Sequence, residues 1–240
     1  MWTDNPERAH QRYVQQAGWS RSFREYLYKK LPGKDRITVL EVGCGTGAVL
    51  ECVRNEFQGD IGILCGVDRD RKAMKFDEAK KAGQLLEGTA ERLPFSNGSF
   101  DFVFCHYLLL WVRDPLAVLL EMRRVTAENG ICAALAEPCY DEMRVEPDRL
   151  LALAEKQRRA LVLRGVDPGI GSRLGELFRS AGFEHTEWGS YQRQDMSAAE
   201  LRDELLLMKQ DAGLTDFVLD PAAKMKYDVP TYFAYAVKEN

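Results

Sequence analysis

Cysteine pairs, basic stretches and long apolar runs are all missing from this chain, and each absence removes a class of function. The six cysteines, at 44, 52, 65, 105, 132 and 139, include no Cys-x-x-Cys pair. Five of them lie in apolar, strand-like or helix-like surroundings, so they read as buried reduced thiols and no metal site is expected. Of only three histidines, His10 and His185 belong to no visible constellation and are expected on the surface. The 33 Lys and Arg are scattered among 37 Asp and Glu, for a formal charge of −4. Polyanion binding draws its affinity from counterion release at a basic patch, so no nucleic-acid partner is expected. No apolar run approaches the ~18 to 20 residues of a membrane span. The first residues, Met1 to Glu7, are polar and acidic where a signal peptide is basic and then apolar, so the expected location is the cytoplasm. Repeats and low-complexity tracts are also lacking.

What is present fits a soluble α/β chain. Hydrophobic residues make up 45% and charged residues 29% of the 240 positions, enough for one large domain or a domain with an inserted cap. Residues 4–31 have the spacing of one amphipathic helix or two short ones, ended by Pro32-Gly33. From Ile37 the punctuation becomes regular. Strands are predicted at Ile37–Val42, Ile61–Val67, Gln84–Glu87, Phe100–Cys105 and Gly130–Ala136. Helices are predicted at Ala48–Phe57, Asp70–Ala82 and Pro115–Val125, the last with Pro115 in its first turn. Such alternation implies a parallel sheet covered by helices on both faces, which explains the nearly unbroken apolar strands.

After Glu137-Pro138 the rhythm breaks. Residues 141–168 read as a charged helix without a strand partner. Leu174–Ala181 reads as a helix stopped by Gly182, Phe183–Gln192 as a strand, and Thr231–Val237 as a final aromatic strand. Ser197 with Glu200 makes a capping box for one more helix. The domain expectation is a single unit: a helical cap at 1–31, a ligand-binding core at 37–138, and lid or substrate segments at 139–170 and 195–226.

The chemistry concentrates after the first strand. Gly43-Cys44-Gly45-Thr46-Gly47 permits positive φ and close approach of a ligand to bare backbone, while the next helix directs its free N–H groups to the same place. Alone this is a weak signal, because Gly43 to Ala48 also satisfies the dinucleotide pattern of NAD-binding domains. Glu41 tilts the balance. A carboxylate there would oppose a pyrophosphate but could pair with a cationic ligand, and burying it without a partner is costly. Asp68, ending the second strand, is placed to accept ribose hydroxyls or else to cap the following helix.

The ordered blocks VLEVGCGTG (39–47), GVDRD (66–70), GTAERLPFSNGSFDFVFCH (88–106) and DPLAVLLEMRRV (114–125) resemble the class I S-adenosylmethionine (SAM) methyltransferases. The branch is the type 11 one, similar to the ubiquinone and menaquinone C-methyltransferases, and the likeness covers about residues 37–138. It implies a Rossmann-like sheet of seven strands in the order 3-2-1-4-5-7-6, strand 7 antiparallel, with helices on both faces and a small helical lid. It also implies roles by position. Glu41 and the backbone of Gly43, Cys44, Gly45 and Gly47 would surround the methionine part of SAM. Asp68 would hold the ribose, Arg69 would lie beside the adenine, and Ala90 and Glu91 would form the adenine edge. Cys105 would lie beneath the sulfonium, as a packing residue rather than a nucleophile. Many relatives carry a histidine where this chain reads Leu109-Leu110-Trp111, so nothing is inferred from that histidine.

The expected function is therefore transfer of the SAM methyl group to a small-molecule acceptor. The N-terminal segment could fold over the pocket, with Tyr13 reaching the SAM carboxylate. In-line displacement needs chiefly that donor and acceptor be held collinear, and a base only if the acceptor must lose a proton. By location the weak catalytic candidates are His106 and Tyr107, with Glu137 and Tyr140 behind them, at the carboxyl ends of the fourth and fifth strands. The alternatives are a SAM-binding sensor or partner subunit without transferase activity, and an NAD-dependent oxidoreductase. The latter is disfavoured because no catalytic Tyr-x-x-x-Lys or comparable hydride-transfer site appears. The acceptor is chosen by residues 1–30, 139–170 and 195–226, which carry no chemical signature, and no feature of the sequence sets an oligomeric state.

Overall fold

The computed structural model describes residues 6–31, 33, 36–74, 83–146, 148–191, 201–202, 204–206, 209, 213 and 226–239. Strands β1 (Ile37–Val42), β2 (Ile61–Asp68), β3 (Gln84–Glu87), β4 (Phe100–Cys105), β5 (Thr126–Pro138), β7 (Thr186–Tyr191) and β9 (Thr231–Val237) form one sheet in the order β3-β2-β1-β4-β5-β9-β7. β1 to β5 pair in parallel, and β9 runs antiparallel to both β5 and β7. Counting only strands of this sheet, that is the expected 3-2-1-4-5-7-6 order with the last strand reversed.

Central strands buried on both faces show how the apolar runs are used. Ile37, Val39, Phe102, Phe104, Ile131 and Ala133 face one core cluster, and Leu40, Val42, Val103, Cys105, Cys132 and Ala134 face the other. This alternation is the two-residue period of a strand with no solvent side. Helices α1 (Pro6–Trp19) and α2 (Arg21–Lys30) and helix α3 (Ala48–Glu56) cover the first face. Helix α5 (Pro115–Val125) and helix α7 (Leu174–Ser180) cover the second. α4 is described over Arg71–Met74, and the rest of the helix expected to Ala82 lies outside the described residues, as does the Ser197 cap.

Local signals account for the boundaries. Asp114 Oδ1 accepts the Ala117 amide at 3.0 Å, and Pro115 opens α5, as expected of an N-cap followed by proline. β5 starts at Thr126, four residues before the expected Gly130. Asn129 there takes a φ of 62° and the register with β4 shifts, so a bulge carries the pairing through a stretch that lacks an apolar pattern.

The segment expected as an unpartnered helix is different. It contains β6 (Arg144–Glu146), which pairs antiparallel with β8 (Lys226–Asp228), and helix α6 (Leu151–Leu163) follows. Val145, Leu150, Leu153, Ala154, Leu205, Tyr227 and Val229 close a third, small core over this pair. Sequence patterning missed β6 because three residues with one apolar position carry no period. No described helix is long and apolar enough to cross a membrane.

Candidate active site

The carboxyl ends of β1, β2, β4 and β5 lie along one edge, where ligands of open α/β sheets bind. A groove of about 550 Å³ between Phe57, Ile61, Ile63 and Gln84 lies at the opposite, amino-terminal edge and contains none of the residues discussed below.

At the end of β1, Gly43, Gly45 and Gly47 take φ values of 77°, 51° and 74°. These left-handed conformations strain any residue with a Cβ. At Gly43 a Cβ would also lie 2.6 Å from Leu108 Cδ1. The Gly43 and Cys44 amides donate to the Val67 carbonyl at 2.7 and 3.1 Å, which pins the turn to β2. Asp68 completes the fastening. Its Oδ2 accepts the Gly45 amide at 2.7 Å and its Oδ1 the Asp70 amide at 2.7 Å. Each oxygen keeps further lone-pair capacity. Helix capping falls instead to Asp70, whose Oδ1 accepts from the Lys72 and Ala73 amides.

Glu41 lies beneath this turn and is only 1% exposed. One of its oxygens is held by the Leu50 amide in the first turn of α3, while Oε2 has no partner among the described residues. Burial lifts its carboxyl well above the usual carboxylate range. The Arg24 cation opposes that shift and the Asp68 charge adds to it. Burial also pushes up the thiols of Cys44 and Cys105, so neither is a ready nucleophile. Cys105 packs with its Sγ 4.0 Å from Glu137 Oε1.

These residues fit an adenosyl amino acid. The unpartnered, buried Glu41 oxygen lacks what a sulfonium or ammonium supplies, the bare turn lets a ligand approach the backbone, and Asp68 has acceptor capacity left. A pyrophosphate would offer that oxygen neither a cation nor a hydrogen-bond donor.

The α1 helix lies over the same turn. A Tyr13 ring carbon stands 3.6 Å from where a Cβ on Gly45 would be. The Tyr13 hydroxyl pKa is raised by burial first and then by Asp68 and Asp70. His10 Nδ1 is 3.0 Å from Thr46 Oγ1. The expectation of a surface His10 is therefore corrected, because the residue is buried against the loop. His185 is exposed, 3.8 Å from Glu239.

On the acceptor side, His106 is 7% exposed and its Nε2 has no partner among the described residues. Burial, then the Arg24 field, pushes its pKa down to about 3, against a bond to the Gln16 backbone. It is a neutral imidazole at physiological pH, suited to hydrogen bonding and poorly suited to taking a proton. Tyr107 follows with a φ of 53°, a conformation that costs a bulky residue of order 1 kcal/mol. Its amide donates to the Ala136 carbonyl at 2.8 Å, and its hydroxyl is 3.4 Å from Thr231 Oγ1. Trp19 lies 6.5 Å from the Tyr107 ring. Glu137 is already occupied. Oε1 accepts the Leu108 and Leu109 amides at 2.8 and 2.9 Å, and Oε2 the Leu110 amide at 3.3 Å. Burial outweighs those bonds and pushes Glu137 up to about 7. At the far side, Arg69 and Glu91 are exposed and Ala90 is half-buried. Arg124 ties the loop after them to α5 through the Leu93 and Phe95 carbonyls at 3.0 and 2.8 Å.

A family model described as a methyltransferase domain matches residues 40–134. A demethylmenaquinone methyltransferase of Geobacillus stearothermophilus is 30% identical over 199 residues, covering 71% of this chain and 83% of the relative. The chain belongs to the class I methyltransferases, in the type 11 branch. An uncharacterised methyltransferase of Schizosaccharomyces pombe is 31% identical over 163 residues, 62% of this chain and 56% of that protein. The present methyltransferase thus spans little more than half the length of that relative. A Haloferax volcanii methyltransferase, solved in complex with the Trm112 methyltransferase activator, has a TM-score of 0.65 at 18% identity. That match covers 100% of this chain and 96% of that one, a likeness of fold alone.

In this SAM-dependent methyltransferase the turn, Glu41, Cys44, Asp68, Tyr13, Cys105, His106 and Tyr107 all gather at one edge of the sheet. Sequence reading missed two contributors, Arg24 and His10, and the roles of Thr46 and Glu137. Arg24 is fully buried and grips Glu56 with two bonds of 2.9 and 2.5 Å, and the Ala17 carbonyl at 2.7 Å. A charged residue in an otherwise polar helix gives no sign of that. Thr46 and His10 were findable, since His10, Tyr13 and Ala17 recur at i, i+3 and i+7. Glu137 as a backbone cap depends on a turn thirty residues away in sequence and left no signal.

Proposed function

We propose that the Gly43–Gly47 turn, with Glu41 and Asp68, binds S-adenosylmethionine, and that the enzyme passes its methyl group to a small-molecule acceptor. The observation that carries this reading is the buried Glu41 oxygen without a partner, beside three glycines in left-handed conformation. Glu41 and the amides of Gly43, Cys44, Gly45 and Gly47 would hold the methionine part, and Tyr13 would close over it. Asp68 would accept from the ribose, with Arg69, Ala90 and Glu91 around the adenine and Cys105 packed below. When bound, SAM supplies an electrophilic methyl group on a sulfonium.

The chain's own work is positioning and exclusion of water. His106 Nε2 and the Tyr107 side chain, at the end of β4, would orient the acceptor. With a pKa of about 3, His106 would align an acceptor hydrogen without removing it, which favours acceptors that react with no prior deprotonation. We assign residues 1–31 as cap, 37–138 as the cofactor core, and 139–170 with 195–226 as the acceptor lid. The third core cluster around Val145, Leu205 and Tyr227, which draws on both lid segments and on residues just beyond them, supports that division. A cytoplasmic enzyme without a nucleic-acid partner is consistent with the scattered charge.

Titration calorimetry with SAM and NADH tests the reading. Binding of SAM and no binding of NADH is expected, and tight NADH binding without SAM binding would overturn it. A methyl-release assay against a metabolite panel then separates a transferase from a protein that only binds SAM.

A further inference from the structure

His10, Tyr13 and Ala17 share one face of α1, and that face rests on the cofactor loop and its surroundings. His10 bridges two pieces of it. Its Nδ1 is 3.0 Å from Thr46 Oγ1, inside the turn, and its Nε2 is 3.4 Å from Glu51 Oε2 in the first turn of α3. Thr46 is itself fully buried. Next along the helix, Arg12 ion-pairs with Glu204, both side chains buried, and its guanidinium lies 5.1 Å from the centre of the Trp19 ring. Leu205, beside Glu204, belongs to the small core that joins β6, β8 and α6. One helix therefore touches the glycine turn on one side and the 201–206 segment on the other.

We infer that His10 is a positioning residue of the cofactor turn, holding Thr46 and Glu51 so that Gly43–Gly47 keeps its ligand-ready shape. The Arg12–Glu204 pair anchors α1 as the strap that keeps His10 in place. This inference rests on the turn being the SAM site. His10 reaches the turn through two side chains, Thr46 within it and Glu51 in the helix that follows it, so its influence on the cofactor is exerted through the loop. A turn of three left-handed glycines has many unfolded alternatives, because glycine loses more backbone freedom on ordering than any other residue. A bond that selects the bound shape beforehand removes that ordering cost from binding.

The test is titration of S-adenosylhomocysteine into the full chain and its variants, well below their melting temperatures. His10→Ala is expected to weaken binding about tenfold, the worth of one buried hydrogen bond. His10→Asn, which can present a donor or acceptor where Nδ1 stood, should stay within about twofold of wild type. Thr46→Val should weaken binding by no more than His10→Ala, which also frees Glu51, and Thr46→Ser should match wild type. The double variant His10→Ala/Thr46→Val should bind as His10→Ala does, since the Thr46 contact is already gone there. Hydrogen exchange adds a second readout: ligand should protect the amides of residues 6–19 in wild type and much less in Thr46→Val or Glu204→Gln. Wild-type affinity in His10→Ala and Thr46→Val, or additive losses in the double variant, would overturn the inference while leaving the SAM site standing. Should His10→Ala fail to fold, the contrast of Thr46→Val with Thr46→Ser decides alone. Failure of the wild type to bind S-adenosylhomocysteine would instead sink the SAM reading itself.

Discussion

Replacing Glu41 with glutamine isolates the charge on which the proposed cofactor site depends. In the ligand-free enzyme, burial lifts the Glu41 carboxyl well above its ordinary range, which shifts it toward the protonated form relative to an exposed acid. A ligand that brings a sulfonium and an ammonium to this edge reverses the shift, because a nearby cation stabilises the carboxylate. Binding must then release a proton from Glu41 wherever the pH lies between its bound-state and free-state pKa values. Below the free-state value, affinity rises by up to tenfold per pH unit, since each pKa unit corresponds to about 1.36 kcal/mol. A charge-assisted interaction of this kind contributes about 1.5–3 kcal/mol, so Glu41→Gln should weaken SAM binding by roughly 10- to 150-fold.

Calorimetry in two buffers of different ionisation enthalpy counts the released protons. At a pH about two units below the ordinary α-amino value of about 8 the ligand's amino group stays protonated free and bound, so the wild-type count minus the Glu41→Gln count belongs to Glu41. The sign for stability runs the other way. A carboxyl whose folded pKa is raised contributes stability present below its unfolded value, and that contribution is lost as pH rises from there through the folded value. Glu41→Gln should therefore melt higher than wild type in mildly alkaline buffer without ligand, and gain less from added SAM. Equal proton counts in the two proteins, or an unchanged affinity, would refute the electrostatic reasoning.

Three further outcomes follow from groups around the site. Glu137→Ala strips the acceptor from the Leu108, Leu109 and Leu110 amides and should cost about 3 kcal/mol, read as a melting point lower by roughly 6–12 °C. In wild type, Glu137 sits at about 7, so its stabilising contribution fades as pH climbs from the ordinary carboxylate range through neutrality. Glu137→Gln should flatten that part of the stability profile. Arg24→Leu leaves the Glu56 carboxylate facing a nearly closed interior and should cost about 3–5 kcal/mol. Arg24→Lys should recover little in thermal unfolding, because an ammonium cannot reproduce the two-pronged grip. Gly43→Ala meets Leu108 at 2.6 Å and a φ of 77°, and should abolish measurable SAM binding. Adding Leu108→Ala should restore part of the stability by removing the clash, but not the backbone strain.

The sheet was readable from the sequence because its central strands are buried twice. Val39-Leu40-Glu41-Val42 and Phe102-Val103-Phe104-Cys105 divide their side chains between two cores, so apolar continuity and glycine punctuation were enough to give strand positions and their parallel sense. The glycines were equally plain, since left-handed backbone there favours that residue type. His10 was misplaced for the opposite reason. Its burial comes from a contact thirty-six residues away with Thr46, and the spacing of His10, Tyr13 and Ala17 marks a packed face of α1 without saying what it packs on. β6 escaped for want of length. Its three residues pair with β8, more than eighty positions on, and local pattern holds no record of such a partner.

Several strained or unmet groups of this enzyme meet at one edge of the sheet, while Asn129 at φ 62° and the unpartnered Arg123 Nε lie elsewhere among the described residues. Three left-handed glycines, a tyrosine with φ of 53°, an acid with an unused oxygen and a neutral imidazole with an unused nitrogen all lie at the carboxyl ends of β1 and β4. The tyrosine, the acid and the imidazole are each unfavourable for the empty fold by about 1–3 kcal/mol, whereas the glycines take left-handed φ without strain. A single ligand that satisfies the acid, uses the bare backbone and places a partner against His106 would relieve these costs together. Because ligand stabilisation is set by ligand concentration over Kd, a Glu41→Gln enzyme, relieved in advance of one of these costs and binding less tightly, should show the smaller thermal shift at equal ligand concentration.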